Sequence, residues 1–367
     1  MIDNPVFDWL TEDQKTVLLS DNVTVKWDLR LTTWSGEDLG DFTEYLVLSD
    51  SYIERDATEQ IQGKGHLVLE TALNWKNSLA CPMVTIIDID TEIEATWVMG
   101  LWTFRNPGRS LENSQLWETD IADIIDYMGV QTGVSWTVRD GVNIGNAVAD
   151  VIRAPYSNIP YNLPLIPWEV GADAMWPITK RAMWIEIANE LLEASAHASL
   201  YADRYGTLKT YPWEPIDNVV PVWKFSESEE VCWLREDCYR EPPPSAAPNK
   251  WIGINRSVEN PFEGNGVYTI DNSGVNRIIP NVFEVNASDQ VSLVSMVRRA
   301  RQDDIQQENR LNLRSGLTPV FWHGDVVEVC LPRLGAGSSV ESVRGMVIGW
   351  RMDMDDPDMT LIVEVVP

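Results

Sequence analysis

Carboxylates are the side chains in this sequence with most of the makings of chemistry. Asp353, Asp355, Asp356, Asp358 and Glu364 crowd the last strands, and Glu364 stands twelfth counting from Asp353, as the last ligand of a calcium loop would. Such a loop needs glycine at its sixth position for the turn, where this chain has Asp358, with Pro357 before it. The spacing therefore predicts an acidic hairpin turn. A second set, Asp88, Asp90, Glu92 and Glu94, alternates with Ile87, Ile89 and Ile93. Fully extended, these four carboxylates would repel one another on one face, so a solvated hairpin is expected. Acid/base catalysis by a carboxylate pair depends on separation, and so acidic a chain brings pairs together by chance.

The other reactive residue types are sparse. Cys232 and Cys238 have five residues between them, whereas zinc sites show tighter C-x-x-C-type spacing and two further ligands. They read as a pair of thiols or an incidental disulfide. His66, His197 and His323 share no metal-ligand spacing. His197 falls at the end of an Ala-rich helix, where carbonyl groups favour a cation, and no G-x-S-x-G turn accompanies it. The G-A-G-S-S-V run at Gly335 lacks a third glycine and opens no helix, and no phosphate-binding G-x-x-x-x-G-K-[ST] occurs. Arg298, Arg299 and Arg301 form the densest basic cluster, read as a solvated or subunit-facing helix side. No catalytic residue, cofactor-binding residue or metal ligand is assigned, no cofactor is implied, and the chain is expected not to be an enzyme.

Composition bounds the function further. With 367 residues, 44% of them hydrophobic, the chain can bury more than one core and spans two to three domains by length. Its 28 Lys and Arg face 56 Asp and Glu, for a formal charge of −28. A nucleic-acid-binding surface needs cations to displace counterions, and anionic lipid needs the same, so both partners are excluded. Solubility or an acidic host accounts for the excess; so does a surface that must not bind DNA, such as a conduit wall. Seventeen Trp exceed seven Phe and ten Tyr, which suits large cores or interfaces equally. No run of about 18 apolar residues predicts a membrane span. The N-terminal MIDNPVFDWLTEDQKTVLL has no cationic start or apolar core, so no signal peptide is expected, and four cysteines suit folding in a reducing cytosol.

These residues are positioned by a chain that changes character twice. Residues 1–20 read as an adaptor segment or short helix. Over 21–125, VTVKWDLRLTTW alternates with Val23, Val25, Trp27, Leu29 and Leu31 on one face, and further short strands suggest a small antiparallel barrel. PMVTIIDID and EIEATWVMGLWTFRN pair across a turn near Asp90. Over 126–215 the pattern becomes mixed. DIADIIDYMGV predicts a short helix ending at Gly129, and GNAVADVIRAP a second one stopped by Pro155. IPYNLPLIPWEVG predicts an irregular loop. A helix from Pro177 to Ala196 carries Ala182, Ile185, Ala188, Leu192 and Ser195 on one face, and SLYAD with TLKTY makes a hairpin turning at Asp203–Gly206. Strands return over 216–367, interrupted by a Pro-rich loop at 232–250 and a helix at 288–308 capped by Ser288.

Three segments, in this order, resemble bacteriophage tail hub proteins: IERDATEQIQGKGHLVLETALNWKNSLACPMVTI with its W-V-M-G-L-W sequel, ANELLEASAHASLYADRYGTLKTYP, and the helix at Ser288 with GDVVEVCLP. The resemblance implies an α+β, mainly β fold, in which two antiparallel β-barrel tube domains flank an α/β module. It implies a homotrimer forming a pseudo-hexameric ring at the distal end of a tail tube. Its implied partners are the tube or distal tail protein ring, the C-terminus of the tape-measure protein, and tip or fibre proteins. The implied location is the virion tail tip, assembled in the host cytoplasm. Some relatives append a peptidase or lysozyme domain, and this chain is expected to lack one. Two other functions stay open: a Trp-rich carbohydrate-binding tail protein and an acidic-site glycoside hydrolase.

Overall fold

Alternation builds the first strand as a half-buried surface requires. Val23–Thr33 buries Trp27, Leu29 and Leu31 and leaves Thr24, Lys26 and Arg30 in water, while Val23 at its open end is exposed. The computed structural model describes residues 9–111, 113–214, 216–226, 237–240, 248–255, 267–271, 278–285, 290–307, 310–322, 324–331 and 342–365. Within them the protein is mainly β, with four helices: α1 (Glu12–Leu19), α2 (Ile144–Arg153), α3 (Trp184–Ala194) and α4 (Gln290–Gln307). Thr11 and Gln14 close a capping box on α1, satisfying N–H groups that the helix leaves unpaired.

Fourteen strands form one sheet. Its order runs Tyr239–Arg240, Arg310–Gly316, Asp358–Val365, Val343–Asp353, Leu46–Asp56, Gly63–Leu69, Trp117–Asp123, Trp102–Arg109, Ser78–Asp88, Val23–Thr33, Asp38–Asp41. Glu94–Val98 also pairs with Ser78–Asp88, while Val326–Cys330 joins Val343–Asp353 and takes Trp223–Ser226 alongside it in parallel. The seam between the two ends of the chain is antiparallel, with Met352 opposite Ile53 and Trp350 opposite Arg55. The expected pair of barrels implies two closed ladders. The described ladders close none, and the early and late strands share a single sheet.

Three cores lie against this frame. The largest takes Trp27, Leu67 and Trp102 from the early strands and Phe321, Trp350 and Leu361 from the late ones. A second packs α2 on α3 through Val148, Ile152, Ile185 and Leu192, with Leu200 and Leu208 of the hairpin beneath. The third is small, seating Leu293 and Val297 of α4 on Trp251.

Several sequence expectations need correction. Asp120–Asp123 extends a strand rather than starting a helix, because residues 117–122 pair with residues 64–69 and Asp123 pairs with Trp102; only Ile124–Met128 coils, as a 3₁₀ turn ending at Gly129. The α3 helix starts at Trp184 instead of Pro177. Pro177 opens a 3₁₀ turn, and Arg181 at φ 54° adopts a left-handed conformation that a continuous helix cannot contain. The Pro-rich loop contributes Tyr161–Asn162 to a three-stranded sheet with the hairpin strands Tyr201–Ala202 and Leu208–Lys209. The Arg310–Gly316 strand, buried through Leu311, Leu313 and Ser315, has no counterpart in the sequence reading. Ser288 and most of the 232–250 loop lie outside the described residues.

The seam yields a direct test. Ile53 and Met352 are both 0% exposed and face each other across the ladder. Ile53→Ala and Met352→Ala should each lose about 2–5 kcal/mol of unfolding free energy in urea titrations. The double variant should lose about 0.5 kcal/mol or more short of the sum, since both changes empty one shared contact. Full additivity would mean that Ile53 and Met352 are not energetically coupled across the seam.

Candidate functional site

Trp322 sits in the loop between the strands Arg310–Gly316 and Val326–Cys330, and its indole lies where the three parts of the chain converge. The ring N–H donates to the Ala202 carbonyl of the middle hairpin at 2.8 Å. Two guanidinium groups approach this one ring: Arg55 Cζ at 4.4 Å and Arg204 Cζ at 4.8 Å from its centroid. Arg55 comes from the early strand Leu46–Asp56, and Arg204 from the Asp203–Gly206 turn. A desolvated cation over an indole gains on the order of 2 kcal/mol, so Trp322 is a shared acceptor for both.

Carboxylates balance these cations. Arg55 pairs with Asp123 at 3.2 Å, and both side chains are buried. Asp123 also accepts from the amides of Gly63 at 3.2 Å and Ile125 at 3.1 Å. Arg204 donates to the Val98 and Phe321 carbonyls, each at 3.4 Å, and burial pulls its pKa down to about 10 against the opposing pull of Asp325. Asp325 accepts from the Trp322 amide, and burial pushes its carboxyl up to about 6. These groups cross-link the early strands, the middle hairpin and the late loop. Nothing in the sequence linked Arg55, Arg204 and Trp322, which are separated by more than a hundred residues at each step.

Beside this junction lies a cleft of about 670 Å³ between the hairpin, the late strands and α4. Tyr211, Trp213, Met346 and Ile348 line it, with Arg299, Arg310 and Glu364. Arg310 holds Glu364 through Nε at 3.0 Å and Nη2 at 2.8 Å, and Arg299 donates to the His197 carbonyl at 3.1 Å. Its polar lining also includes Glu214, Ser199 and Thr58.

The residues singled out from sequence are dispersed. Arg314 clamps the terminal acidic hairpin, reaching Asp356 at 3.0 Å, Asp358 at 3.4 Å and Asp237 at 3.4 Å. Glu364 is at the Arg310 pair, apart from these. Asp88 closes the other hairpin turn, accepting from the amides of Asp90 and Thr91, and these bonds hold its pKa below the usual carboxylate range. Asp90, Glu92 and Glu94 point into water. No group of three or more His, Cys, Asp or Glu side chains among the described residues could hold a metal ion.

His66 meets Asp120 on the neighbouring strand at 3.1 Å, and His323 lies outside the described residues. Buried His197 comes within 3.1 Å of Ser195 Oγ, which resembles a nucleophile and base. However, its Nδ1 lies 2.8 Å from the Ser195 carbonyl, which can only accept, and Ser195 Oγ donates to the Leu192 carbonyl at 2.9 Å. Both groups finish the end of α3, and burial lowers the His197 pKa. Buried Cys238 receives the Arg314 amide at 3.3 Å; Cys232 and the Gly335 run lie outside the described residues. The arginines of α4 diverge: Arg298 is exposed, Arg299 faces the cleft, and Arg301 lies 6.0 Å from the Trp251 ring.

The raised pKa of Asp325 sets a pH dependence with a definite sign. Between the ordinary 3.8 and about 6, the folded state binds a proton that the unfolded chain releases. This group's contribution to stability therefore falls as pH rises through that window. Asp325→Asn keeps an acceptor for the Trp322 amide and removes the titration. Stability measured by chemical denaturation from pH 4 to 6.5 should decline less with pH in the variant than in the parent; parallel curves would exclude this assignment.

No protein-family model matches the chain, and no curated protein matches its sequence. Solved structures do match. A tail protein from Neisseria meningitidis MC58 aligns over 92% of this chain and 96% of its own, with TM-score 0.65 and 13% identity. The 43 kDa tail protein of prophage MuSo2 from Shewanella oneidensis aligns over 92% and 98%, with TM-score 0.58 and 13% identity. Prophage tail protein gp18 from Listeria monocytogenes EGD-e aligns over 92% and 94%, with TM-score 0.54 and 8% identity. The order of elements built around the Trp322 junction is thus the fold of phage tail proteins, in a chain whose sequence has diverged from theirs.

Proposed function

We propose that this chain is a non-enzymatic structural subunit of a phage-type tail, acting as a homotrimeric hub at the distal end of the tail tube. The observation that carries the reading is the likeness in fold to solved tail proteins, which covers nearly all of both chains. Residues 21–125 and 216–367 would serve as two tube-type domains per copy and residues 126–215 as the α/β module between them, behind the adaptor 1–20. Three copies then place six tube-type domains around one axis, the number that a hexameric tube presents. The tube or distal tail ring, the tape-measure C-terminus and tip or fibre proteins are the partners proposed, in a virion tail tip assembled in the host cytoplasm.

Charge supports the conduit role. A wall carrying part of a −28 net charge repels DNA phosphates, so a passing genome finds no counterion-releasing contacts to hold it. No described helix is long and apolar enough to cross a membrane. The sugar-binding alternative needs exposed indoles, yet the described tryptophans are mostly core residues. Trp9 and Trp168 are the exposed ones, and Trp9 donates its N–H to the Val222 carbonyl. The hydrolase alternative needs a carboxylate pair facing substrate, whereas Asp356 and Asp358 face Arg314.

Sedimentation of the purified chain tests the hub directly. A species at three times the 41.6 kDa chain mass is expected, forming rings with an acidic bore in electron micrographs. A monomer at tens of micromolar would overturn the trimer, and a neutral or basic bore would overturn the conduit.

A further inference from the structure

Backbone bonds tie the segments 130–138 and 174–184 into one antiparallel ribbon on the middle module. Trp136–Val138 pairs with Ala174–Trp176, Ile178 N donates to Ser135 Oγ at 3.1 Å, Thr132 N to the Ala182 carbonyl, and Trp184 N to the Val130 carbonyl. One side of the ribbon is core, through Val138, Trp176 and Trp184. The ribbon also leaves four apolar side chains in water: Val130 at 51%, Val134 at 51%, Met175 at 61% and Ile178 at 54% exposure. Exposed Lys180 and Arg181 follow Ile178, and neither has an ion-pair partner among the described residues. In a chain with twice as many acids as bases, an apolar patch beside two unpaired cations is exceptional.

The Asp88–Glu94 hairpin is its chemical complement. Its tip exposes Ile89 at 53%, flanked by exposed Asp90, Glu92 and Glu94, and neither Glu92 nor Glu94 has an ion-pair partner among the described residues. The turn is held firmly, by the two amide bonds to Asp88 and the Glu94–Val98 ladder, so docking it costs little ordering entropy. Both surfaces are open to solvent in one chain, so a single copy satisfies neither.

We propose that the ribbon patch receives the Asp88–Glu94 hairpin of a second copy of this chain, with Ile89 against the apolar side chains and Glu92 and Glu94 against Lys180 and Arg181. Because the two surfaces differ, the contact is head-to-tail. Such contacts generate closed rings or filaments, whereas a two-fold contact stops at a dimer. Highly acidic copies repel one another at long range, and the exposed Lys180 and Arg181 oppose that repulsion locally. The proposal rests on the homo-oligomer proposed above and assigns one contact within it.

Charge reversal tests the contact. Lys180→Glu with Arg181→Glu should raise the dissociation constant of the oligomer about tenfold or more in sedimentation, with the secondary structure unchanged by circular dichroism. Glu92→Lys with Glu94→Lys should do the same, and the fourfold variant should recover assembly. If either pair leaves assembly unchanged, or the fourfold variant fails to recover, the contact is overturned while the trimer stands. A monomeric parent chain overturns both.

Discussion

Two guanidinium groups flanking one indole, Arg55 buried and Arg204 half-buried, set the constraint that the remaining structure must satisfy. Arg55 and Arg204 carry the same sign, and neither tolerates desolvation without compensation. The Trp322 π-system attracts both, Asp123 neutralises the first, and Asp325 opposes the second. These five residues come from the early strands, the strand that leads into the middle module, the middle hairpin and the late loop. Withdrawing any one part leaves a cation in low dielectric without its partner, so the parts hold together as a unit. Apolar packing alone could slide; a ring with two oriented charges and an N–H bonded to Ala202 cannot.

That junction explains why the two ends of the chain share a sheet. The seam of Leu46–Asp56 with Val343–Asp353 runs through Arg55, and Trp350 opposite it belongs to the same core as Trp322. Arg351 reinforces the seam from the other face, lying 3.7 Å from the Tyr52 ring centroid and 3.4 Å from Glu54. A subunit made this way holds its two β-rich parts in fixed relation through one continuous sheet.

Many of the scarce basic residues are deployed as clamps. Arg105 binds Asp126, Arg310 binds Glu364, Arg314 holds three carboxylates, and Arg351 joins Asp353 to Glu54. Each clamp spends a cation on a carboxylate beside it, so the unpaired excess stays acidic. Stability and external charge are thereby set by the same substitutions. The acidic sets that looked like metal or catalytic clusters fall into two physical kinds: turn caps such as Asp88, and Arg-clamped turns such as Asp356 and Asp358.

Read alone, the amino-acid sequence determined much that depends on near neighbours: the alternation of Val23–Thr33, the helix α2, the amphipathic face of α3, the turn at Asp203–Gly206, and the acidic hairpins at 88–94 and 353–358. Those features follow from period, capping and turn chemistry within a dozen residues. Tertiary structure decided what depends on distant partners. Asp120–Asp123 looked helical as the start of DIADIIDYMGV, which runs to a Gly129 suited to a helix C-terminus, but a strand partner at Gly63–Leu69 outweighed that preference. Arg310–Gly316 alternates too weakly in hydrophobicity to be legible as a strand until Asp358–Val365 pairs with it. The common sheet and the Arg55–Trp322–Arg204 stack were hidden for the same reason. Their energy comes from burial and from charges that meet only after the chain has folded, and no local pattern encodes a meeting across hundreds of residues.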